Sequence, residues 1–183
     1  MIVGLTGPNA AGKGEVARIL REMGFRYWSL SDIVREEATA LGRTHGRDDL
    51  IRTGQELRRA HGTGVLAERI AGRLADRDLV DSIRSPAEVD VLRRVRGFEL
   101  LGVTAPIEVR YERATARPGR GDALESLEAF RAKEAEEDGS DPGRQQLSAA
   151  LARADHVIDN RGSVASLEAA VRSWIRDRES ARR

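Results

Sequence analysis

A single lysine closes a run of small residues near the amino terminus, Gly7-Pro8-Asn9-Ala10-Ala11-Gly12-Lys13-Gly14. The run fits G-x-x-x-x-G-K and sits between an apolar stretch of strand type, residues 2–5, and a helical pattern. Small residues let consecutive backbone N–H groups curl around an oxyanion, and the following helix N-terminus adds partial positive charge. Lys13 extends from that turn as a point charge suited to phosphate oxygens. The chain has 31 lysines and arginines, yet lysine occurs only at 13 and 133. A chain so biased towards arginine that still places lysine at 13 argues for an ammonium group at that spot.

The run is therefore read as a P-loop, a cradle for a nucleoside triphosphate with ATP as phosphoryl donor. Its candidate binding residues are Gly7, Asn9, Ala10, Ala11, Gly12, Lys13, Gly14 and Glu15. The usual Ser or Thr after the lysine, a ligand for Mg²⁺, is replaced by Gly14 and then Glu15. Mg²⁺ is accordingly expected on the phosphates, waters and some other carboxylate. Asp81 ends the apolar pair Leu79-Val80 and is the candidate metal residue, with a helix or turn cap as the competing role.

A second constellation follows the next strand pattern: Ser29-Leu30-Ser31-Asp32-Ile33-Val34-Arg35. Ser31 and Asp32 suit a helix N-terminus. The stretch also resembles the S-T-G-D-x-x-R segment of adenylate kinase and other nucleoside monophosphate kinases, with Ser31 in place of the glycine. That resemblance implies that Arg35 grips the acceptor phosphate and that Asp32 faces the reacting centre. Asp81-Ser82-Ile83-Arg84-Ser85-Pro86-Ala87-Glu88-Val89 looks like the D-G-[IF]-R-x-x-x-E-V segment of archaeal and bacterial kinase-like P-loop proteins. It is also similar to the matching strand end of phage-type deoxynucleoside monophosphate kinases. By this likeness Arg84 is a second acceptor arginine, and Gln55, Glu56 and Arg58 fall where such kinases put acceptor helices.

Arg110, Arg113, Arg117 and Arg120 cluster after the fourth strand pattern. Phosphoryl transfer needs cations spread over the equatorial oxygens when a lid closes, and these positions match the lid arginines of this superfamily. Arg113 and Arg117 are the candidates for that work, against a solvated surface as the alternative. At the far end, residues 151–162 contain Ala154-Asp155-His156-Val157-Ile158-Asp159-Asn160-Arg161-Gly162, which resembles the A-D-x-V-I-x-N-x-G segment of dephospho-CoA kinases. The resemblance implies that Asn160 lies beside the adenine of ATP. His156, with no partner cluster in sequence, is expected to be structural.

The elements that must position these groups alternate between short strand and longer helix patterns, which argues for an α/β fold. Strands are expected at 2–5, 27–29, 79–81, 99–103 and 156–158. Helices are expected at 12–23, 31–41, 48–60, 65–76, 86–95, 107–116, 124–137, 145–154 and 164–178. This predicts a P-loop three-layer sandwich: a mainly parallel five-stranded sheet with a helical lid. Gly24 is the expected C′ residue of the first helix, and Pro86 and Pro106 are expected in first turns. Val164, Leu167, Val171, Trp174 and Ile175 space out a buried stripe on the last helix. Residues 117–144, rich in Gly, Pro and charge, are expected to form a charged lid lobe with few apolar anchors.

At 183 residues, 40% hydrophobic and 33% charged, the chain suits one globular unit over 1–183. Its acceptor helices are expected at about 31–76 and its lid at about 110–144. A net charge of +1 supplies no long-range field for nucleic acid. There is no cysteine, so thiolate metal sites and cysteine nucleophiles are excluded. No apolar run reaches the roughly 18–20 residues of a membrane span, no signal-peptide pattern opens the chain, and the expected location is the cytoplasm.

The expected activity is ATP-dependent phosphorylation of a nucleoside or deoxynucleoside monophosphate, with small nucleotides as the partners. Dephospho-CoA kinase is the rival: its acceptor is a ribose 3′-hydroxyl, for which Asp32 would serve as base. Its family carries an acidic residue where this chain has Ser29, and the Asp32-to-Arg35 spacing is that of the monophosphate kinases. A nucleotide-dependent switch without a small acceptor is the third reading. The choice of base, ATP against GTP, and the oligomeric state stay open at this point.

Overall fold

The structure is a computed structural model describing residues 1–116, 126–138 and 146–182. The chain runs β1 (Ile2–Thr6), α1 (Lys13–Glu22), β2 (Arg26–Ser29), α2 (Leu30–Ala40), α3 (Arg47–His61), α4 (Val65–Ala71) and β3 (Asp78–Asp81). It continues through α5 (Pro86–Arg93), β4 (Phe98–Thr104), α6 (Ile107–Thr115), α7 (Leu127–Glu137), α8 (Leu147–Leu151), β5 (His156–Asp159) and α9 (Val164–Ser180).

The five strands form one sheet in the order β2-β3-β1-β4-β5, and every pairing is parallel. Parallel strands need crossovers, so both faces of the inner strands β3, β1 and β4 are covered, while the edge strands β2 and β5 stay largely exposed. All five residues of β1 are buried. Successive residues point to opposite faces. Val3, Leu5, Leu79, Leu101 and Val103 pack with Val16, Ile19 and Leu20 of α1 and Leu167, Val171 and Ile175 of α9. Ile2, Val80 and Leu100 face the other way, against α2, α4, α5 and α8. The three-layer sandwich is thus present, and its sheet is wholly rather than mainly parallel.

Local chemistry sets the ends. Gly24 closes α1 through paired bonds from its own N–H to Arg21 O and from Phe25 N–H to Leu20 O, both 3.0 Å, the pattern of a Schellman cap. Pro86 occupies the first turn of α5 behind the N-cap Ser85. Pro106 is itself the N-cap of α6, one position earlier than expected. The fourth helix stops at Ala71 instead of 76, because Asp78 accepts from the Ala75 N–H at 2.8 Å and pulls the chain into β3. Val164 is 59% exposed and does not join the buried stripe of α9; at the first helical position it points off the end of the sandwich. Helix α7, within the segment expected to have few apolar anchors, is anchored by Phe130, 2% exposed and packed on Tyr111 with ring centroids 5.9 Å apart. His156 stacks on Trp174 at 6.0 Å, a packing role. Among the described residues no helix is long and apolar enough to cross a membrane.

The position of Leu101 at the centre of the sheet and of Val164 at its margin gives a direct contrast. Leu101→Ala is expected to lower unfolding free energy by ~2–5 kcal/mol in urea titration, and Val164→Ala by less than about 0.5 kcal/mol.

Candidate active site

The loop between β1 and α1 is held in shape by two close approaches. Gly7 has φ +134°, and a Cβ there would lie 2.0 Å from the Val103 carbonyl oxygen of β4. Gly12, the α1 N-cap, has φ +108°, and a Cβ there would lie 2.2 Å from the Asn160 side-chain nitrogen. Asn160 is 7% exposed; its Nδ2 donates to Ala11 O at 2.8 Å and its backbone N–H to Thr104 O at 2.6 Å. The residue that the dephospho-CoA kinase likeness puts beside adenine therefore directs its amide to the back of the loop.

Lys13 lies across its own loop, donating to Gly7 O at 2.6 Å and Pro8 O at 2.8 Å. Ala10 has φ +58°, and its N–H bonds the Asn9 side-chain oxygen at 3.0 Å. At the start of α1 the first amides have no intrahelical acceptor. A Cβ at Gly14 would meet nothing within 4 Å, so the missing hydroxyl is not a matter of space. Glu15 pairs with Arg18 at 2.6 Å on the exposed side of α1.

Arg110 does not belong to the exposed arginine cluster. It is 7% exposed, donating to Ala105 O at 3.0 Å and Asn9 O at 3.3 Å, pairing with Glu134 of α7 and lying 5.6 Å from the Phe130 ring centre. It braces the phosphate loop against α6 and α7. Arg113, one turn on, reaches Gly162 O at 3.4 Å through Nη2, while its buried Nη1 has no partner. Arg117 and Arg120 lie outside the described residues.

Asp81 stands at the carboxyl end of β3, beside β1. Its Oδ2 accepts from the Tyr27 hydroxyl at 3.0 Å and its Oδ1 from the Ser82 N–H at 2.6 Å. Burial and the neighbouring Asp81 charge push the Tyr27 phenol up to about 12, so it stays a donor to that carboxylate. Ser82 follows with φ +69°, rare for a non-glycine residue, and its hydroxyl lies 3.3 Å from that of Ser29. Among the described residues no three His, Asp or Glu side chains gather as a ready-made metal cage.

Ser29 caps α2, accepting from the Ser31 N–H at 3.3 Å. Asp32 and Arg35, both about half exposed, pair at 2.6 Å on the first turn of α2. Arg84 sits in the turn from β3 to α5, whose N–H donates to Glu88 Oε2 at 2.7 Å. Gln55 is partly buried on α3; Glu56 is exposed and pairs with Arg43 at 2.7 Å. The phosphate loop, Asp32, Arg35, Asp81 and Arg84 all follow the carboxyl ends of parallel strands, and so share one edge of the sheet. Glu88 closes the cap of α5, a role legible in Ser85-Pro86-Ala87-Glu88 as a capping box.

This arrangement defines a P-loop kinase fold. A family model described as an AAA domain matches residues 6–131. A UPF0200 protein of Methanothermobacter thermautotrophicus is 31% identical over 181 residues, covering 96% of this chain and 90% of that protein. Shikimate kinase from Bacteroides thetaiotaomicron superposes with a TM-score of 0.62 at 10% identity, covering 96% of this chain and 98% of the kinase. A gluconokinase from Sinorhizobium meliloti 1021 gives 0.57 at 16%, covering 98% and 94%. The chain belongs to the AAA-domain family of that model and to the UPF0200 proteins.

The Asn160 lock predicts an asymmetry between neighbouring glycines. Gly12→Ala is expected to displace Asn160 and lower stability by more than about 1 kcal/mol, read as a fall in thermal midpoint. Gly14→Ala, at a helical position with open space, is expected to hold or raise the midpoint by a few degrees at most, ~0.4–1 kcal/mol.

Proposed function

We propose that this protein is an ATP-dependent phosphotransferase whose acceptor is a nucleoside or deoxynucleoside monophosphate. The observation that carries the reading is the shared sheet edge: the phosphate loop and the candidate acceptor residues Asp32, Arg35 and Arg84 follow neighbouring parallel strands. A donor cradle and an acceptor cluster side by side suit in-line transfer. Structural neighbours named as a shikimate kinase and a gluconokinase support the same reaction type.

Lys13 exchanges its loop carbonyls for the β- and γ-phosphate oxygens of ATP, and the loop amides take the remaining charge. Arg35 leaves Asp32 to hold the acceptor phosphate, with Arg84 on its other side and Gln55 lining the pocket. A phosphate acceptor is already ionised and needs no strong base, so the protein's work is alignment and charge neutralisation. The candidate cations for the transferring group are Arg113 of α6 and, outside the described residues, Arg117. Asp81, held by Tyr27 and the Ser82 amide, is the carboxylate that would hold the hydration shell of Mg²⁺, which would supply charge neutralisation to the donor phosphates. The location is the cytoplasm, where ATP and monophosphates are available.

A second reading is a hydroxyl acceptor, favoured by the exposed Asp32 carboxylate on the first turn of α2, where it could take a proton. Dephospho-CoA is the acceptor suggested by the 154–162 segment; shikimate and gluconate are those named for the structural neighbours.

The test is a panel assay with Mg·ATP: ribo- and deoxynucleoside monophosphates, dephospho-CoA, shikimate, gluconate, and no acceptor. Diphosphate made from one monophosphate is the expected product, and Arg35→Ala should then lower kcat/KM for the acceptor ~10²-fold with ATP affinity kept. A phosphorylated hydroxyl would move the assignment to the second reading. ADP formation no higher than the acceptor-free control throughout would defeat both and leave a nucleotide-dependent switch.

A further inference from the structure

One buried charge pair lies beside the acceptor cluster without any part in the mechanism above. Glu88, on the first turn of α5, is 0% exposed, and Arg58, on α3, is 8% exposed. Arg58 Nη2 donates to Glu88 Oε1 at 3.3 Å. Glu88 Oε2 takes two further donors, the N–H groups of Arg84 at 2.7 Å and Ser85 at 3.1 Å. Leu57 and Val89, their neighbours in sequence, belong to an apolar cluster that also holds Val34 and Ile83.

Three features here each lower stability. A buried ion pair is usually no better than well-packed apolar side chains of the same volume. The buried Nε of Arg58 has no hydrogen-bond partner, which leaves a donor desolvated and unused. Gly54 sits inside α3, where glycine is unfavourable, and a Cβ there would come 3.2 Å from Arg58 Nη1 and 3.7 Å from Val34. The helix thus carries a glycine where it must make room for the guanidinium.

Helix capping does not account for the pair. A capping box accepts glutamine as readily as glutamate, so an uncharged residue at 88 with an apolar one at 58 would serve the cap and the core. What the charged version adds is a tie between two elements. One carboxylate grips the turn that carries Arg84 and, through its other oxygen, the helix that carries Gln55.

We propose that Glu88 and Arg58 are positioning residues for the acceptor: they fix α3 against the 82–85 turn and so set the width of the acceptor pocket. This rests on the kinase reading above. The glutamate acts through the Arg84 backbone and the arginine through α3, and neither needs to touch substrate.

The discriminating variant is Arg58→Met/Glu88→Gln, which removes both charges and keeps the cap. Thermal midpoint, binding of a non-hydrolysable ATP analogue, and acceptor kinetics across the panel are measured together, with calorimetric binding of each panel compound as a readout free of turnover. The expected result is an unchanged midpoint and analogue affinity, with kcat/KM for the acceptor down ~10–100-fold, mainly through KM. Arg58→Lys, which keeps the charge without the planar fork, should fall between wild type and the double variant; it also decides the matter if the double variant does not fold. Unchanged acceptor KM in a folded variant overturns the positioning role and leaves the kinase reading intact. Wild-type protein that neither binds nor phosphorylates any panel compound overturns the kinase reading, and the positioning role with it.

Discussion

The phosphate loop depends on a contact between the two ends of the chain. Asn160, just past β5, hands its amide to Ala11 at 2.8 Å and fills the space that a side chain at Gly12 would need. A single such hydrogen bond is worth only ~0.5–1.5 kcal/mol net. Its importance is geometric, because Asn160 is itself held by Thr104 at the end of β4. The loop that must present its amides outward is thereby pinned from behind by the two strands on one side of β1. Arg110 does the same from the lid side, taking the Asn9 carbonyl while paired to Glu134. The donor cradle is therefore a product of the finished sheet rather than of its eight residues alone.

The candidate acceptor side follows a different principle. Its polar side chains are satisfied by neighbours in pairs: Asp32 with Arg35, Asp81 with Tyr27, Glu88 with Arg58. The first pair is exposed and worth little, so it parts readily for an anion. The last is fully buried, and burial pushes the Glu88 carboxyl above the usual carboxylate range against the pull of Arg58 and two amides. The exposed pair can exchange partners at the surface while the buried one stays fixed behind it.

Much of this was legible in the residues. All five strands fall within two residues of expectation; the inner ones leave an apolar signal because both faces are buried, whereas β2 and β5 are short edge strands marked by a few apolar residues. The cradle is legible because its chemistry demands glycine at fixed spacing. What spacing could not show was the destination of polar side chains that serve the fold. Arg110 and Arg113 look alike in sequence, three residues apart on one helix, yet one is a buried brace and the other reaches the 160–162 turn. Only packing against Phe130 separates them, and Phe130 reads as an isolated aromatic in a charged stretch.

Asn160 and Glu88 teach the converse lesson. Both stand in segments that resemble kinase motifs, and a motif position is easily read as a ligand contact. In three dimensions Asn160 bonds a backbone carbonyl and Glu88 bonds two backbone amides and a buried arginine. Each acts one layer behind the surface a nucleotide would touch. A polar residue that recurs beside a phosphate site can be there because the loop needs a fixed back wall, and a rigid cradle needs such walls as much as it needs donors. Positioning of this kind is where a phosphotransferase gains most, since its chemistry asks the protein for alignment and charge rather than for a reactive side chain.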